Sequence, residues 1–150
     1  MVEDDAPLDF YCMTCNLQFE RLLFDVTRAQ EKVHFYTEGR LPEVEIVEAE
    51  GIGVFCSWRC RRNGLAALMS AERVPVPAIP PTIGPIERCA RCNGPVDMAA
   101  FHTTYSQCEL TFEPDRTRVE NFEYLAVLCR RCASIYESGV TTLEETSPIA

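Results

Sequence analysis

Polar and apolar residues alternate along the segment that leads to the third cysteine of the chain. Residues 44–55 read VEIVEAEGIGVF, a period-two pattern that is interrupted at Gly51 and Gly53. Such alternation is typical of a β-strand. Shortly afterwards, residues 65–69 read LAALM, and this run of strong helix formers predicts a helix. The first half of the chain therefore predicts a strand followed by a helix.

The second half repeats this order of elements. Residues 109–112 and 122–128 are strand-like, and the chain between them contains Pro114 and Asp115, a pair typical of a turn. Residues 133–136 then favour a helix. This pattern predicts a β-hairpin followed by a helix, so we expect both halves to be small α+β units.

A proline-rich segment separates the two halves. Five of the ten prolines fall between Pro75 and Pro85, where an extended polyproline-II spacer is favoured over a helix or a strand. The sequence thus predicts a first module over residues 1–74, a linker over residues 75–87, and a second module over residues 88–150 that ends in an acidic tail. Each half has only about 60–75 residues, a size at which a structural metal commonly supplements a small hydrophobic core.

Eight of the nine cysteines form closely spaced pairs, two pairs in each predicted module. Two cysteines separated by two or three residues place two thiolates on one turn, and two such turns form the tetrahedral sulfur cage that zinc prefers. We expect two structural zinc ions, each held within one module rather than by a cross-brace between modules. The predicted ligands are Cys12, Cys15, Cys56 and Cys60 in the first module, and Cys89, Cys92, Cys129 and Cys132 in the second.

Other uses of paired cysteines fit this sequence less well. Disulfides need an oxidising compartment, and residues 1–10 have neither the basic start nor the apolar core of an export signal. A thioredoxin-like redox motif uses one pair in a larger α/β domain, and iron–sulfur ligands are separated by shorter loops. We therefore expect a reducing compartment, the cytoplasm or the nucleus. No apolar run approaches the ~20 residues needed to cross a membrane.

The chain around the second cysteine pair carries a short motif. Residues 53–60 read GVFCSWRC, with a Phe-Cys-Ser triplet, a three-residue gap to Cys60, an upstream CMTC pair and an apolar helix afterwards. In these features residues 10–70 resemble FCS-type zinc fingers, the group of MYM-type and TRASH-like modules. The resemblance implies a metal-binding treble clef with a role in transcription-related binding or metal handling. The second half shows only the generic four-cysteine pattern, from which we expect a treble-clef-like turn, hairpin and helix.

The charge of the chain limits its partners. The formal net charge is −9, and two zinc ions bound by eight thiolates take it to about −13. Such a surface repels the phosphates of nucleic acids, whose binding depends on Lys and Arg. Nucleic-acid binding is therefore disfavoured by net charge, and a protein partner is favoured.

Arginines nevertheless cluster next to the cysteines. We interpret them mainly as a balance for the negative charge of the zinc–thiolate cages, with phosphate binding as the alternative. Trp58 lies beside three of them and could stack on a base. The candidate contact residues for a partner or a nucleic acid are Trp58, Arg59, Arg61, Arg62, Arg130 and Arg131.

Acidic residues form three clusters, within residues 3–5, 43–50 and 144–145. Runs of charge are usually solvated faces. A functional acidic cluster would instead capture a basic partner, because complementary fields speed association. The sequence alone leaves both interpretations open.

No arrangement in the sequence indicates an enzyme. A catalytic zinc keeps an open coordination position, whereas both cysteine quartets are complete. His34 and His102 have no second ligand at metal-binding spacing, and the odd cysteine, Cys108, is expected to be a buried thiol. We predict a non-enzymatic zinc-binding protein that acts by protein–protein binding, as an adaptor or as an acidic inhibitor of a basic partner. The alternatives are transcription-associated nucleic-acid binding and metal sensing or trafficking.

Overall fold

The computed structural model describes residues 10–16, 18–19 and 22–137. Four long strands form its centre: β3 (Leu22–His34), β4 (Glu43–Phe55), β7 (His102–Glu113) and β8 (Arg116–Leu128). They make one antiparallel sheet in the order β4-β3-β7-β8. The predicted acidic clusters at residues 3–5 and 144–145 lie outside the described residues.

Shorter elements surround the cysteines. Two small hairpins each enclose a cysteine pair, formed by β1 (Phe10–Tyr11) with β2 (Gln18–Phe19) and by β5 (Ile86–Arg88) with β6 (Pro95–Asp97). Two helices follow the long hairpins: α1 (Trp58–Ala71) after β4 and α2 (Arg130–Glu137) after β8. The predicted α+β class is confirmed.

The two halves share the central sheet, because β3 of the first half pairs with β7 of the second. This pairing runs from Leu22 opposite Thr111 to Glu31 opposite His102. The sequence pattern does not indicate β3, since this strand lies between two others and does not alternate cleanly between buried and exposed positions. The quartets therefore lie at opposite ends of one sheet, because Cys56 follows the end of β4 and Cys129 follows the end of β8.

The two long hairpins have the same irregularities. In each hairpin the register shifts twice, between these residues: Val26/Thr27 and Gln30/Glu31 in β3, and Tyr105/Ser106 and Glu109/Leu110 in β7. The hairpins can be aligned on Phe24–Phe55 and Thr103–Leu128, the strand pairs that immediately precede Cys56 and Cys129. In this alignment both shifts fall at equivalent positions.

An approximate two-fold axis relates the halves. In the same alignment Thr27 corresponds to Ser106, and these two residues lie opposite each other in the β3–β7 pair. A residue that pairs with its own counterpart marks the centre of an antiparallel two-fold arrangement. The second half is thus a structural repeat of the first, turned about the middle of the sheet.

A single hydrophobic cluster contains residues of both halves. Its largest fully buried side chains include Phe55 and Met69 from the first half and Met98, Tyr105 and Leu128 from the second. Several cysteines of both quartets belong to the cluster or pack against it. The metal centres are therefore continuous with the apolar core.

Residues 74–85, which include the proline-rich segment, form neither helix nor strand. Most of them are exposed, but Val74 is buried and Ile83 packs against the core. The polyproline-II spacer and the module boundaries stay predictions. Within the described ranges, no helix has the length and apolar character required to span a membrane.

Candidate metal centres

The first quartet is assembled from three elements. Cys12 and Cys15 lie in the turn between β1 and β2, Cys56 follows β4, and Cys60 lies in the first turn of α1. The turn is closed by a hydrogen bond from Asn16 N to Cys12 O at 2.8 Å. Asn16 has a φ of 61°, a left-handed conformation that asparagine adopts more readily than most residues.

The Phe-Cys-Ser triplet has a structural explanation at this centre. Phe55 is 1% exposed and belongs to the core, while the next residue, Cys56, contributes a sulfur to the quartet. Ser57 is the N-cap of α1, and its hydroxyl accepts a hydrogen bond from Cys60 N at 3.1 Å. The triplet therefore fixes the strand end, one ligand and the start of the helix in consecutive residues.

Two glycines allow the elements of this centre to pack closely. A side chain at Gly64 of α1 would meet Thr14 Oγ1 at 2.7 Å and Phe55 at 2.9 Å. A side chain at Gly53 of β4 would meet Leu68 at 2.6 Å. Glycine in a helix interior costs about 1 kcal/mol relative to alanine, and the close approach of the cysteine turn explains its place here.

The second quartet repeats the first. Cys89 and Cys92 lie in the turn between β5 and β6, Cys129 follows β8, and Cys132 lies in the first turn of α2. Asn93 closes the turn with a φ of 62° and a 2.8 Å bond from its N–H to the carbonyl of the first cysteine of the pair. The four cysteines of each half therefore come together as predicted, without a cross-brace.

The sulfur positions fit a tetrahedral metal site. All four sulfurs of each quartet lie within 4.8 Å of one another. The measured separations include 3.6 Å for Cys15–Cys56, 3.8 Å for Cys56–Cys60 and 3.8 Å for Cys92–Cys129. Four sulfurs bound to zinc at about 2.3 Å lie about 3.8 Å apart. None of the nine cysteines forms a disulfide. The sulfur positions of each quartet are close enough to hold a metal ion.

Backbone hydrogen bonds prepare one thiolate in each quartet. Burial alone would raise the pKa of Cys12, but bonds from the backbone N–H groups of Cys15 and Cys56 outweigh it and lower this pKa from 9.0 to about 6. Burial alone would likewise raise the pKa of Cys89, but hydrogen bonds from the backbone N–H groups of Cys129 and Cys92 lower it to about 7. Both cages thus favour a negative sulfur at the first cysteine of the turn.

Two other thiols in each quartet have a raised pKa, so their ionisation depends on a cation. Burial, followed by hydrogen bonding with Cys15 and Cys12, raises the pKa of Cys56 to about 12. Burial also raises the pKa of Cys129, its counterpart in the second cage, and that of Cys132. A divalent cation at the centre would deprotonate these thiols, because its charge stabilises the thiolates.

One donor in each half was not evident from the sequence. Thr14 Oγ1 donates to Cys60 O at 2.7 Å, and Arg91 Nη1 donates to Cys132 O at 2.8 Å. Both residues occupy the same position within their cysteine turn and bond to the carbonyl of the last ligand. In the sequence both donors stand just before the second cysteine of a turn, and this shared position was the only signal for them. A threonine and an arginine do not by themselves suggest a common role.

Arg91 also connects the halves. Its Nε donates to Arg73 O at 3.0 Å, and its Nη2 donates to Glu72 O at 3.4 Å. Both carbonyls lie just beyond the C-terminus of α1, where a positive group is favourable. Arg91 thus fixes the second cysteine turn against the helix of the first half.

The predicted contact residues fall into two groups. Arg61 is 9% exposed, and its Nη1 donates to Cys108 O at 2.9 Å, so its guanidinium contributes to packing between the halves. The others are exposed: Trp58, Arg59, Arg62, Arg130 and Arg131. Arg62 lies 5.7 Å from the Trp58 ring centroid, which leaves a small aromatic and basic surface at the start of α1.

Several buried polar groups lie outside the cages. Asp25 accepts a hydrogen bond from Cys108 N at 3.2 Å, and Cys108 is half-buried rather than fully buried as expected. Burial still raises the pKa of its thiol to about 11. Tyr124 donates to Glu31 at 2.8 Å, and His102 Nε2 lies 3.8 Å from the same carboxylate. His34 is exposed and lies 2.8 Å from Glu45. These contacts were not predicted, because each joins residues that are distant in sequence or on different strands.

Comparison with protein-family models, curated proteins and solved structures gives no match for this chain. The FCS-type resemblance therefore rests on the motif residues alone. What the geometry establishes is a small α+β protein with two cysteine quartets that are close enough to hold metal ions.

Proposed function

We propose that this chain is a non-enzymatic zinc-binding protein that acts by protein–protein binding, as an adaptor or as an acidic inhibitor of a basic partner. Each half is a treble-clef-like module in which a cysteine turn, a hairpin and a helix hold one structural zinc. The first module is of the FCS type. The zinc ions stabilise a surface for binding and take no part in chemistry, since four cysteines fill each coordination sphere.

The observation that carries this proposal is the surface of β4. Eight of its first nine residues are exposed, and four of the nine are glutamates. The metal cage fixes the end of this strand through Cys56, so the acidic surface has a rigid support. A rigid field of one sign favours association with a partner of the opposite sign.

A binding experiment with the zinc-loaded full chain tests the proposal. The immobilised protein is exposed to cell extract, recovered proteins are identified by mass spectrometry, and their purified forms are titrated at increasing salt. We expect a basic protein whose affinity falls as salt rises, because screening weakens complementary charges. Recovery of acidic partners with salt-insensitive affinity would contradict an acidic inhibitor.

The exposed Trp58 and Arg62 favour nucleic-acid binding as a second candidate function, in line with the transcription-associated role that the FCS resemblance implies. A base could stack on the indole while the guanidinium binds phosphate. The test is fluorescence anisotropy with labelled single-stranded DNA and RNA at ~0.15 M salt. Binding that disappears in Arg62→Ala would promote this candidate over protein binding.

Metal sensing or trafficking is a third candidate, because Cys15 and Cys92 are exposed. An exposed ligand in each cage gives a competing chelator direct access to the metal. Exchange of zinc within minutes under a mild chelator, with the fold retained, would favour this role. Retention of zinc under the same conditions is expected for a structural site.

A further inference from the structure

Among the described residues, no strand pairs with the outer edge of β4. β4 is the first strand in the sheet order and, within the part of the chain that the structure describes, pairs only with β3. An exposed edge strand presents a row of unpaired backbone N–H and C=O groups, which an extended segment can satisfy by adding one strand to the sheet. β4 therefore offers backbone hydrogen bonds to an incoming strand.

A bulge aligns the acidic side chains along this edge. The four glutamates of the strand are Glu43, Glu45, Glu48 and Glu50. Their partners on β3 are His34, Lys32, Gln30 and Arg28, respectively. These partners are alternate residues of one strand, so all eight positions share one face of the hairpin. In a regular strand Glu45 and Glu48, three positions apart, would lie on opposite faces, and the bulged residue Val47 brings them to the same face.

The acidic face contains a polar cleft. Arg28 Nη2 binds Glu50 at 2.7 Å, whereas Glu48 has no ionic or hydrogen-bond partner among the described residues. The cleft has a volume of about 240 Å³ and is lined by Arg28, Ala29, Gln30, Glu48 and Glu50. A long basic side chain that enters this cleft from a neighbouring strand would meet the Glu48 carboxylate.

The opposite face of the same edge is apolar. Ile46 lies opposite Glu31 and therefore on the other face from the glutamates, and it is 59% exposed. Val47 in the bulge is 55% exposed. An added strand would thus meet carboxylates on one face and aliphatic side chains on the other. This pattern selects a strand in which basic and apolar residues alternate.

The equivalent edge strand of the second half does not offer the same surface. Under the two-fold relation the counterparts of the four glutamates are Arg116, Arg118, Asn121 and Glu123. Both arginines are paired with Glu113, and Arg118 also binds Glu120 at 2.8 Å. The β8 edge therefore carries charges of both signs that neutralise one another. It serves as an internal control for the acidic edge of β4.

We propose that the outer edge of β4 binds, by strand addition, an extended segment of a partner protein in which basic and apolar residues alternate. This inference rests on the proposed protein-binding function and names the surface that performs it. Main-chain hydrogen bonds supply the attachment, and the aligned glutamates supply the charge selection.

The test uses the ¹⁵N-labelled zinc-loaded chain and a blocked peptide of about eight residues that alternates Arg and Val. We expect saturable amide shifts in the β3–β4 hairpin and slower hydrogen exchange along β4. A matched Glu–Val peptide should give neither. Glu45→Gln with Glu48→Gln should weaken binding roughly three- to tenfold, since each exposed charge pair contributes ~0.2–1 kcal/mol. The control pair Glu120→Gln with Glu123→Gln on β8 should leave the affinity unchanged.

Three results would overturn the inference: shifts centred on β8, equal weakening by both variant pairs, or no saturable binding of the Arg–Val peptide. Concentration-dependent protection of β4 without peptide would also overturn it, because the occupant would then be a second copy of the chain. If a recovered partner binds the Glu45/Glu48 variant as tightly as the parent, the edge is wrong while the protein-binding function stands. If no protein partner is recovered at all, the proposed function fails independently of the peptide result.

Discussion

The two halves of this protein share a backbone plan and differ in the side chains that they place on it. Both have an asparagine with a φ near 60° after the cysteine turn, Asn16 and Asn93. Both tie that turn to the last strand of the hairpin, through Met13 N to Val54 O at 3.0 Å and through Ala90 N to Val127 O at 2.8 Å. The positions that agree are those that hold the metal cage.

The positions that differ lie on the exposed edges and at the interface between the halves. Glu43 and Glu45 on β4 correspond to Arg116 and Arg118 on β8, so equivalent edge positions carry opposite charges. The internal contacts differ as well, since Arg61 of α1 reaches Cys108 on β7. The comparison teaches that the cage constrains local backbone geometry, while the strand surfaces are free to acquire separate roles.

Loss of one cysteine cage should have the largest effect on metal content and folding. In Cys56→Ser or Cys129→Ser we expect one zinc per chain instead of two, since a structural zinc contributes about 10 kcal/mol or more to folding. Because β3 pairs with β7, either variant should also remove amide protection along this pair. Metal analysis and hydrogen exchange measure both effects. Full protection of β3 in Cys129→Ser would show that the halves fold independently.

Much of this cage could be predicted from the sequence, because cysteine spacing is local information. Strand β4 was predicted as well, although it continues through Gly51 and Gly53 with an extra bulged residue, Ile52, between them. The helices were also predicted. The ligands of each quartet come from segments that the pattern already marks as turn, strand end and helix start.

The shared sheet could not be predicted, because it depends on contacts between distant segments. β3 contains Asp25 and Glu31 at buried positions, and their partners, Cys108 and Tyr124, are in the other half of the chain. A buried carboxylate in a strand breaks the apolar alternation on which strand prediction depends. The burial of Arg61 could not be predicted for the same reason, since its hydrogen-bond partner, Cys108, is also in the other half.

A fragment of residues 1–74 sharpens the comparison. The sequence predicts that this fragment folds with one zinc. The structure adds that it would expose the side of β3 that β7 covers, and the two-fold relation allows a second β3 to pair there with Thr27 at the centre. We expect a one-zinc fragment that dimerises as its concentration rises, measured by sedimentation velocity. A fragment that binds zinc and stays monomeric at all concentrations would show that β3 does not require a partner strand.

Substitution of two neighbouring arginines distinguishes the contribution of buried packing to stability from that of surface charge. Arg61→Ala removes a buried hydrogen bond from a charged group and should lower the free energy of unfolding by about 2–3 kcal/mol. Arg62→Ala, at an exposed position beside Trp58, should cost no more than about 1 kcal/mol. Chemical denaturation of the zinc-loaded variants gives both values. Equal losses would mean that Arg61 is not part of the interface between the halves.

The smallest structural effect is expected at Cys108, whose counterpart in the first half is Ala29. Cys108→Ala places the counterpart's residue at this position, so we expect two zinc ions per chain and a loss of about 1 kcal/mol or less, typical of a small change in packing. In the parent protein this thiol should react slowly, because burial raises its pKa from 9.0 to about 11.

The raised pKa of Cys108 makes its thiolate roughly a hundredfold scarcer at pH 7 than that of a cysteine with an unperturbed pKa. A thiolate of higher pKa is also more nucleophilic, which offsets part of this scarcity. Alkylation of Cys108 should therefore be about tenfold slower than that of a model thiol at pH 7 and should continue to accelerate as the pH rises toward 11. Mass spectrometry of the zinc-loaded chain after timed exposure to iodoacetamide measures the rate, with Cys108→Ala as the control for reaction at the cages. Rapid alkylation near neutral pH, or loss of a zinc ion in Cys108→Ala, would show that this cysteine has a role that its counterpart Ala29 lacks.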